Sequence, residues 1–303
     1  MATPTVTSAR AHAAGRARSE ARHGAALAWP ALVLMLAVTG YPIAHSVWLS
    51  FQRYALGEPD VRGFAGLENY LVVLSAPRWW VAMGTTLLIA VVSVAIQLVL
   101  GFAFAFVMHR AVFGRRTIRV ALLVPYAIIS VVSAFAWKFA FDPTVGFVNR
   151  WFDLSLNFFG QTWSSYLVII AAEVWKTTPF LSLLLLAGLT GVPGELLESA
   201  RVDGASAWQR FWHVIVPAMR GAIGVALLFR LLDAVRLFET VFVMTRGTNN
   251  TETLSMLGYD VLVSRLDLGL GSAISVLLFC TVALIAVLFL KGFRTDLTTV
   301  RGE

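Results

Sequence analysis

The chain has 303 residues, of which 58% are hydrophobic and 14% are charged. This composition excludes an ordinary soluble domain and predicts an integral membrane protein. The formal net charge of +7 would suggest nucleic acid as a partner of a soluble protein, but basic residues in a membrane protein serve to orient its spans. Cys280 is the one cysteine, which excludes an intramolecular disulfide and a thiolate metal cluster.

The membrane spans are predicted from stretches long enough to cross the bilayer, which takes about 20 apolar residues. Three stretches lack charged residues, a fourth is just long enough, and two carry charges inside them. In chain order the six predicted spans are 24–52, 79–108, 120–137, 165–189, 221–245 and 268–290. The sequence therefore predicts an all-α membrane protein with six transmembrane helices.

Arginine-rich segments predict the orientation of these spans. Residues 1–23 contain four arginines and one glutamate, and loop 109–119 contains four arginines and no acid, so both are expected in the cytoplasm. Six crossings then place residues 190–220 and both termini in the cytoplasm. We predict a disordered tail at 1–23, with a transit peptide as the alternative. A six-helix transmembrane domain follows at 24–293, and then a short cytoplasmic tail at 294–303.

The cytoplasmic segment 193–217 contains the signals of two short helices separated by a sharp turn. Pro193 suits a first helical turn, and Gly204 can take the left-handed conformation that ends a helix. Ser206 and Gln209 have the spacing of a capping box, and Pro217 is predicted to stop the second helix. Amphipathicity alone leaves two roles open, which are docking in a groove of a partner protein and lying on the lipid surface.

Residues 198–217, "ESARVDGASAWQRFWHVIVP", carry a family motif. They resemble the EAA loop of binding-protein-dependent ABC importer permeases, which has a Glu-Ala-Ala opening, a later glycine and an Ile-x-Pro close. Ser199 stands where alanine is usual. The Asp-Gly-Ala at 203–205 resembles the carbohydrate branch, with its maltose and glycerol-phosphate permeases. The likeness extends from about residue 29 to 293 and includes "FAGLENY" at 64–70 and "WKTTPFLSLLLLAGL" at 175–189.

This resemblance implies a type I ABC importer permease fold with cytoplasmic EAA coupling helices. It implies a multi-pass protein of the inner or plasma membrane that works with a second homologous permease, two copies of an ABC ATPase and an external solute-binding lipoprotein. The implied ATPase-coupling residues are Glu198, Ser199, Ala200, Asp203, Gly204, Ala205, Phe211, Ile215 and Pro217. Overall likeness to trehalose importers implies a disaccharide such as trehalose, carried by alternating access.

The chain is expected to be a non-catalytic permease subunit. It has no G-x-x-x-x-G-K-[ST] phosphate loop, so we expect ATP and Mg²⁺ to be bound by the partner ATPase and no cofactor by this chain. Its five histidines show no metal-ligand spacing. The alternatives are a permease for glycerol-phosphate or another small solute, and a secondary transporter. A secondary transporter would need an inverted repeat, and no matching halves are visible.

Charged residues inside the spans are candidates for the solute path, because intramembrane charge is costly. Glu173 and Lys176 are three residues apart and can neutralise each other. Arg230, Asp233, Arg236 and Glu239 are spaced by three, which on one helix turns the last about 180° away from the first. The predicted path residues are Glu173, Trp175, Lys176, Asp233, Arg236 and Glu239. Carboxylates with an aromatic such as Tyr259 would suit a neutral sugar, whereas the arginines would suit an anion.

Overall fold

The computed structural model describes residues 29–57, 62–110, 114–152 and 156–297, with side chains described as far as Gly292 except that of Arg115. These ranges are mainly helical, as predicted. The helices, labelled in chain order, are α1 (Trp29–Ser50), α2 (Glu68–Ser75), α3 (Pro77–Arg110), α4 (Arg115–Ala127), α5 (Ser130–Ala140), α6 (Phe147–Trp151), α7 (Thr162–Thr190), α8 (Gly194–Val202), α9 (Ala207–Ala218), α10 (Arg220–Val235), α11 (Glu239–Met244), α12 (Leu254–Ser264) and α13 (Leu268–Leu297).

The two predicted tails lie largely outside the described residues. The predicted N-terminal tail, 1–23, lies outside the described residues. Helix α13 runs to Leu297, so the first four residues of the segment predicted as a C-terminal tail, 294–297, continue the last helix. The rest of that segment lies outside the described residues as well.

Four helices, α1, α3, α7 and α13, are each long and apolar enough to cross a membrane. Two bent pairs pass the same test together. They are α4 with α5, which meet at 86°, and α9 with the stretch Arg220–Met244, which meet at 75°. The number of spans is therefore four, or up to six if each bent pair forms one span.

The predicted spans 120–137 and 221–245 are not the single helices that the sequence suggested. Helix α4 ends at Ala127, shortly after Pro125, and Ile129 has an extended backbone with ψ of 135°. Pro125 cannot donate an N–H to the helix and so takes one hydrogen bond from its last turn. Helix α10 ends at Val235, and α11 begins at Glu239 after a short irregular stretch.

Helices α3 and α7 form the centre of the bundle, and α10 packs against both. Close approach of α7 and α10 is possible because position 188 is a glycine. A Cβ added to Gly188 would lie only 2.5 Å from the Cβ of Ala222, so any larger side chain would push the two backbones apart. Around this contact, Leu185, Leu189 and Met219 are buried in one apolar cluster.

Helix α1 is joined to the rest of the chain mainly at its C-terminal end. Strands β1 (Gln52–Arg53) and β2 (Gly63–Phe64) pair antiparallel just beyond it. Asn69, within the "FAGLENY" motif, donates from Nδ2 to the carbonyls of Ser50 and Gln52 at 2.9 and 2.8 Å. This asparagine therefore fixes the turn after α1 to the start of α2.

Candidate functional site

The segment 193–217, called here the coupling segment, folds as the predicted helix, turn and helix. Gly204 has a φ of +79°, and the N–H of Ala205 donates to the carbonyl of Ala200 at 2.9 Å. This pattern is a Schellman motif, in which the left-handed residue is best served by glycine. The predicted capping box is confirmed, since the Ser206 N–H donates to Gln209 Oε1 at 2.8 Å and the Ser206 side chain accepts from the Gln209 N–H.

The second helix ends at Ala218, one residue after Pro217, close to where the sequence predicted it to stop. Residues Phe211–Ile215 form a π-helical turn, and Pro217 lies in the first turn of the α-helical stretch that follows, Val216–Ala218. Pro217 lacks an N–H and so takes one hydrogen bond from the last turn of this helix. The chain changes direction two residues later, at Met219.

The outer face of the coupling segment is acidic. Glu195, Glu198, Ser199, Val202 and Asp203 line a shallow depression of about 450 Å³. All five are exposed. Three carboxylates on one short surface offer hydrogen-bond acceptors and negative charge to a partner, without any bulky side chain to exclude it.

The inner face of the same segment is apolar and holds it against α3 and α7. Phe211 packs edge-on against Phe102, with ring centroids 5.4 Å apart, and against Phe106 at 5.9 Å. Ile215 is only 8% exposed and lies in the cluster with Leu185. Among the predicted coupling residues, Phe211 and Ile215 thus face the rest of the chain, whereas Glu198, Ser199 and Asp203 face outward.

A second site is a buried polar cluster centred on Arg230. The Arg230 side chain is 1% exposed. Its Nε donates to Gln97 Oε1 at 2.6 Å, its Nη2 lies 3.4 Å from Glu173 Oε2, and its Nη1 donates to Asp233. Thr240 donates its hydroxyl to Glu173, and Gln97 Nε2 donates to Thr177 Oγ1 at 2.9 Å. We call these six residues the Arg230 cluster. It joins α3, α7, α10 and α11.

The predicted pairing of Glu173 with Lys176 is replaced by the pairing of Glu173 with Arg230. Glu173 is 7% exposed and lies within the Arg230 cluster. Lys176 Nζ instead lies 5.9 Å from the centroid of the Tyr126 ring. Asp233 reaches the same arginine from the edge of the cluster, and its side chain is 72% exposed.

The remaining predicted path residues lie apart. Trp175 lines a cavity of about 760 Å³ between α3, α4 and α7, whereas Arg236 lines one of about 370 Å³ with Phe238 and Tyr259. Glu239 is exposed at the start of α11. Because the helix is broken at 236–238, the positions of Arg236 and Glu239 do not follow from one helical wheel.

Four members of the Arg230 cluster were not among the predicted path residues. They are Arg230 itself, which was noted only as a charge inside a span, and Gln97, Thr177 and Thr240. The sequence does point to Gln97 as a buried polar residue, since it is the only amide side chain in the uncharged stretch 79–108. A buried amide in an apolar helix needs a polar partner. The two threonines had no comparable signal, because a threonine in a membrane helix can bond its own backbone.

The turn between α11 and α12 is held in a strained backbone conformation. Arg246, Asn249 and Asn250 all have φ between 51° and 57°, a region that costs a side-chain-bearing residue free energy. The Asn250 carbonyl accepts from the Tyr166 hydroxyl at 2.6 Å and from the Thr85 hydroxyl at 3.0 Å. These two hydrogen bonds hold the turn against α3 and α7.

Asp142 fixes a second turn, between α5 and α6. Its Oδ1 accepts from the Thr144 hydroxyl at 2.7 Å, from the Thr144 N–H at 2.8 Å and from the Val145 N–H at 3.0 Å. These hydrogen bonds, that of the Thr144 side chain foremost, lower the pKa of Asp142 below its ordinary value. The carboxylate is therefore ionised when it caps this turn.

Metal-ligating side chains do not gather in the part of the chain that the structure describes. Within those residues, no group of three or more histidine, cysteine, aspartate or glutamate side chains is placed to hold a metal ion. Cys280 is exposed.

The chain is similar to several known transport proteins. The chain is 49% identical to the trehalose transport system permease protein SugA of Mycobacterium tuberculosis over 92% of this chain and 91% of that one. It is 35% identical to the trehalose/maltose transport system permease protein MalF of Thermococcus litoralis, over 91% and 96%. A permease of a bacterial alginate ABC transporter, solved in complex with an alginate pentasaccharide-bound periplasmic protein, has the same fold, with a TM-score of 0.75, 19% identity and coverage of 89% and 94%.

The predicted fold class is confirmed as that of a type I ABC importer permease, and the chain is a transport subunit of the membrane rather than an enzyme. The family model described as the binding-protein-dependent transport system inner membrane component matches residues 97–293. That range includes both the coupling segment and the Arg230 cluster, and the chain belongs to this family of inner membrane transport components.

Proposed function

We propose that this chain is a permease subunit that imports trehalose through the membrane. The observation that carries this proposal is the 49% identity to a trehalose transport permease across almost the whole length of both chains. The 35% identity to a trehalose/maltose permease supports the same substrate class. A disaccharide is thus favoured over glycerol-phosphate and other small solutes.

The proposed assembly contains this chain, a second homologous permease and two copies of an ABC ATPase. An external solute-binding protein delivers the sugar, as a periplasmic protein accompanies the alginate transporter. Both termini and the coupling segment lie in the cytoplasm in this proposal. Support for that orientation comes from the arginines of residues 1–23 and 109–119.

Energy enters the chain through the coupling segment. The acidic outer face, with Glu198, Ser199 and Asp203, meets the ATPase. Ala200, Gly204 and Ala205 hold its tight turn, and Phe211, Ile215 and Pro217 belong to the helix that anchors it. Movement of the ATPase subunits on binding ATP shifts this segment, and the anchored helix passes the shift to α3, α7 and α10. The transport cycle is alternating access.

The solute path runs beside the Arg230 cluster. Asp233 has most of its side chain exposed while one oxygen is held by Arg230, so its free oxygen can accept from a sugar hydroxyl. Arg236, Glu239, Trp175 and Lys176 remain candidates for later contacts along the path. Glu173 has a supporting role, since it neutralises the buried arginine.

Reconstitution tests this proposal. The full chain is inserted into proteoliposomes with the second permease, the ATPase and the binding protein, and uptake of labelled trehalose is compared with that of maltose and glycerol 3-phosphate. We expect ATP-dependent uptake of trehalose in excess over glycerol 3-phosphate, and stimulation of ATP hydrolysis by the loaded binding protein. Uptake of glycerol 3-phosphate without uptake of either disaccharide would refute the substrate assignment.

A secondary transporter gives a different result in the same assay. Such a protein would move solute without the ATPase, driven by an ion gradient. Uptake in liposomes that contain this chain alone, with an imposed proton or sodium gradient, would overturn the proposal.

A further inference from the structure

A large groove lies between the coupling segment and the C-terminal end of α3. It has a volume of about 850 Å³, within the range of small-molecule sites. Its floor is apolar and consists of Phe102, Phe106, Leu197, Phe211 and Ile215. This surface is suited to hydrocarbon rather than to a sugar.

The rim of the groove is cationic. The lining residues that the structure describes include Arg110, Arg201 and Arg210, and they include no carboxylate. Arg210 donates to the Ala205 carbonyl. Arg110 and Arg201 are exposed and make no ion pair with another described residue, so their charge is available to a ligand.

The two sides of α8 separate these charges. Leu197 and Arg201, one helical turn apart, line the groove, whereas Glu195, Glu198 and Asp203 line the depression on the outer face. A basic protein segment and an anionic ligand would therefore be attracted to different sides of the same helix. The groove is set apart in charge from the surface proposed to meet the ATPase.

Trp208 adds an interfacial side chain to this rim. It is 70% exposed while it lines the groove. An indole that is partly in contact with apolar residues and partly in water is typical of the level of lipid headgroups. In the proposed orientation this level is the inner leaflet, which contains anionic lipids.

We propose that the groove binds one anionic phospholipid, with the phosphate between Arg110 and Arg201 and an acyl chain over Phe102, Phe106 and Phe211. Basic pockets between helices on the cytoplasmic side of a membrane bind such headgroups. The bound lipid fills the space behind the coupling segment and leaves its acidic face free. The proposal rests on the cytoplasmic orientation proposed above, and not on the identity of the transported solute.

Native mass spectrometry of the full chain tests this site. The chain is released from nanodiscs that contain equal amounts of phosphatidylcholine and phosphatidylglycerol, and the retained lipids are counted. We expect wild type to retain phosphatidylglycerol preferentially, and Arg110→Gln/Arg201→Gln to lower its retention by about fivefold per charge, or roughly 25-fold together. Arg150→Gln, an exposed arginine of α6 away from the groove, is the matched control and should behave as wild type.

A second variant tests whether the lipid enters the groove. Ala207→Trp places a bulky side chain among the lining residues and leaves both arginines in place, so we expect it to expel the lipid as well. Full retention in Ala207→Trp, or in the double arginine variant, would overturn the proposal. The proposal would also be overturned if the double arginine variant lost the ATPase on co-purification but retained as much phosphatidylglycerol as wild type, because the groove would then hold part of the ATPase. Transport is not measured, so failure here is distinct from failure of the trehalose assignment.

Discussion

Replacing Arg230 with methionine should destabilise the chain more than any change at a surface arginine. The guanidinium is 1% exposed and lies 3.4 Å from the Glu173 carboxylate. At that distance, and at an effective dielectric constant of about 20, the direct attraction is about 5 kcal/mol. Removal of one partner from a buried pair costs about 3–5 kcal/mol, because the other charge is left without compensation. The Glu173 carboxylate would keep only the Thr240 hydroxyl as a partner within the cluster.

The loss is measurable as a thermal shift of the full chain in detergent. One kcal/mol corresponds to about 2–4 °C in a large domain, so the midpoint of heat inactivation should fall by on the order of 10 °C. The fraction that stays monodisperse after heating, followed by size-exclusion chromatography, gives this midpoint. Arg246→Met, at an exposed arginine, is the matched control and should shift it by no more than about 2 °C.

A double variant separates charge compensation from packing. In Glu173→Met/Arg230→Met both charges are gone, and the midpoint should recover most of the loss, since apolar replacement of a whole buried pair is close to neutral. An unchanged midpoint in Arg230→Met would refute the view that this ion pair stabilises the bundle. Failure of the double variant to recover would show that the hydrogen bonds of Arg230 with Gln97 and Asp233 matter more than its charge.

Three further predictions concern the assembled transporter. Gly204→Ala forces a side chain into a φ of +79°, which costs about 1 kcal/mol, so ATP hydrolysis stimulated by the binding protein should fall. Ser206→Gly keeps a tolerated helix cap and should retain more of this activity than Gly204→Ala. Glu198→Lys reverses a charge on the outer face and should lower the amount of ATPase that co-purifies with the chain; Arg150→Lys is the control, and equal yields would rule out docking through Glu198. Asp233→Asn should lower trehalose uptake with the heat-inactivation midpoint unchanged, because its side chain is 72% exposed; unchanged uptake would leave Asp233 with only a structural role as a partner of Arg230.

Local rules predicted the coupling segment well. Gly204 as a helix end, and Ser206 with Gln209 as a capping box, depend on neighbours within a few residues, and both were confirmed. The π-helical turn at Phe211–Ile215 was not predicted, because such turns have no reliable sequence signal. The inward orientation of Phe211 was also beyond local rules, since its partners belong to α3.

The Arg230 cluster could be predicted only in part. Charges at 230, 233, 236 and 239 fit the period of one helix, so the break at 236–238 was not expected. Glu173 had a nearer cation in Lys176, and the sequence offered no reason to prefer Arg230. The choice between these partners depends on how α7 and α10 pack, which is tertiary information.

The contact between Gly188 and Ala222 makes the residues between them a closed loop. Helices α7 and α10 are in contact at Gly188 and Ala222, where an added Cβ on Gly188 would touch Ala222. The coupling segment connects these two helices. Because this contact fixes the base of the loop, a displacement of the coupling segment cannot be taken up by sliding α7 or α10 alone. The coupling segment, α7 and α10 must therefore shift together, and Gly188 sets the point about which they move.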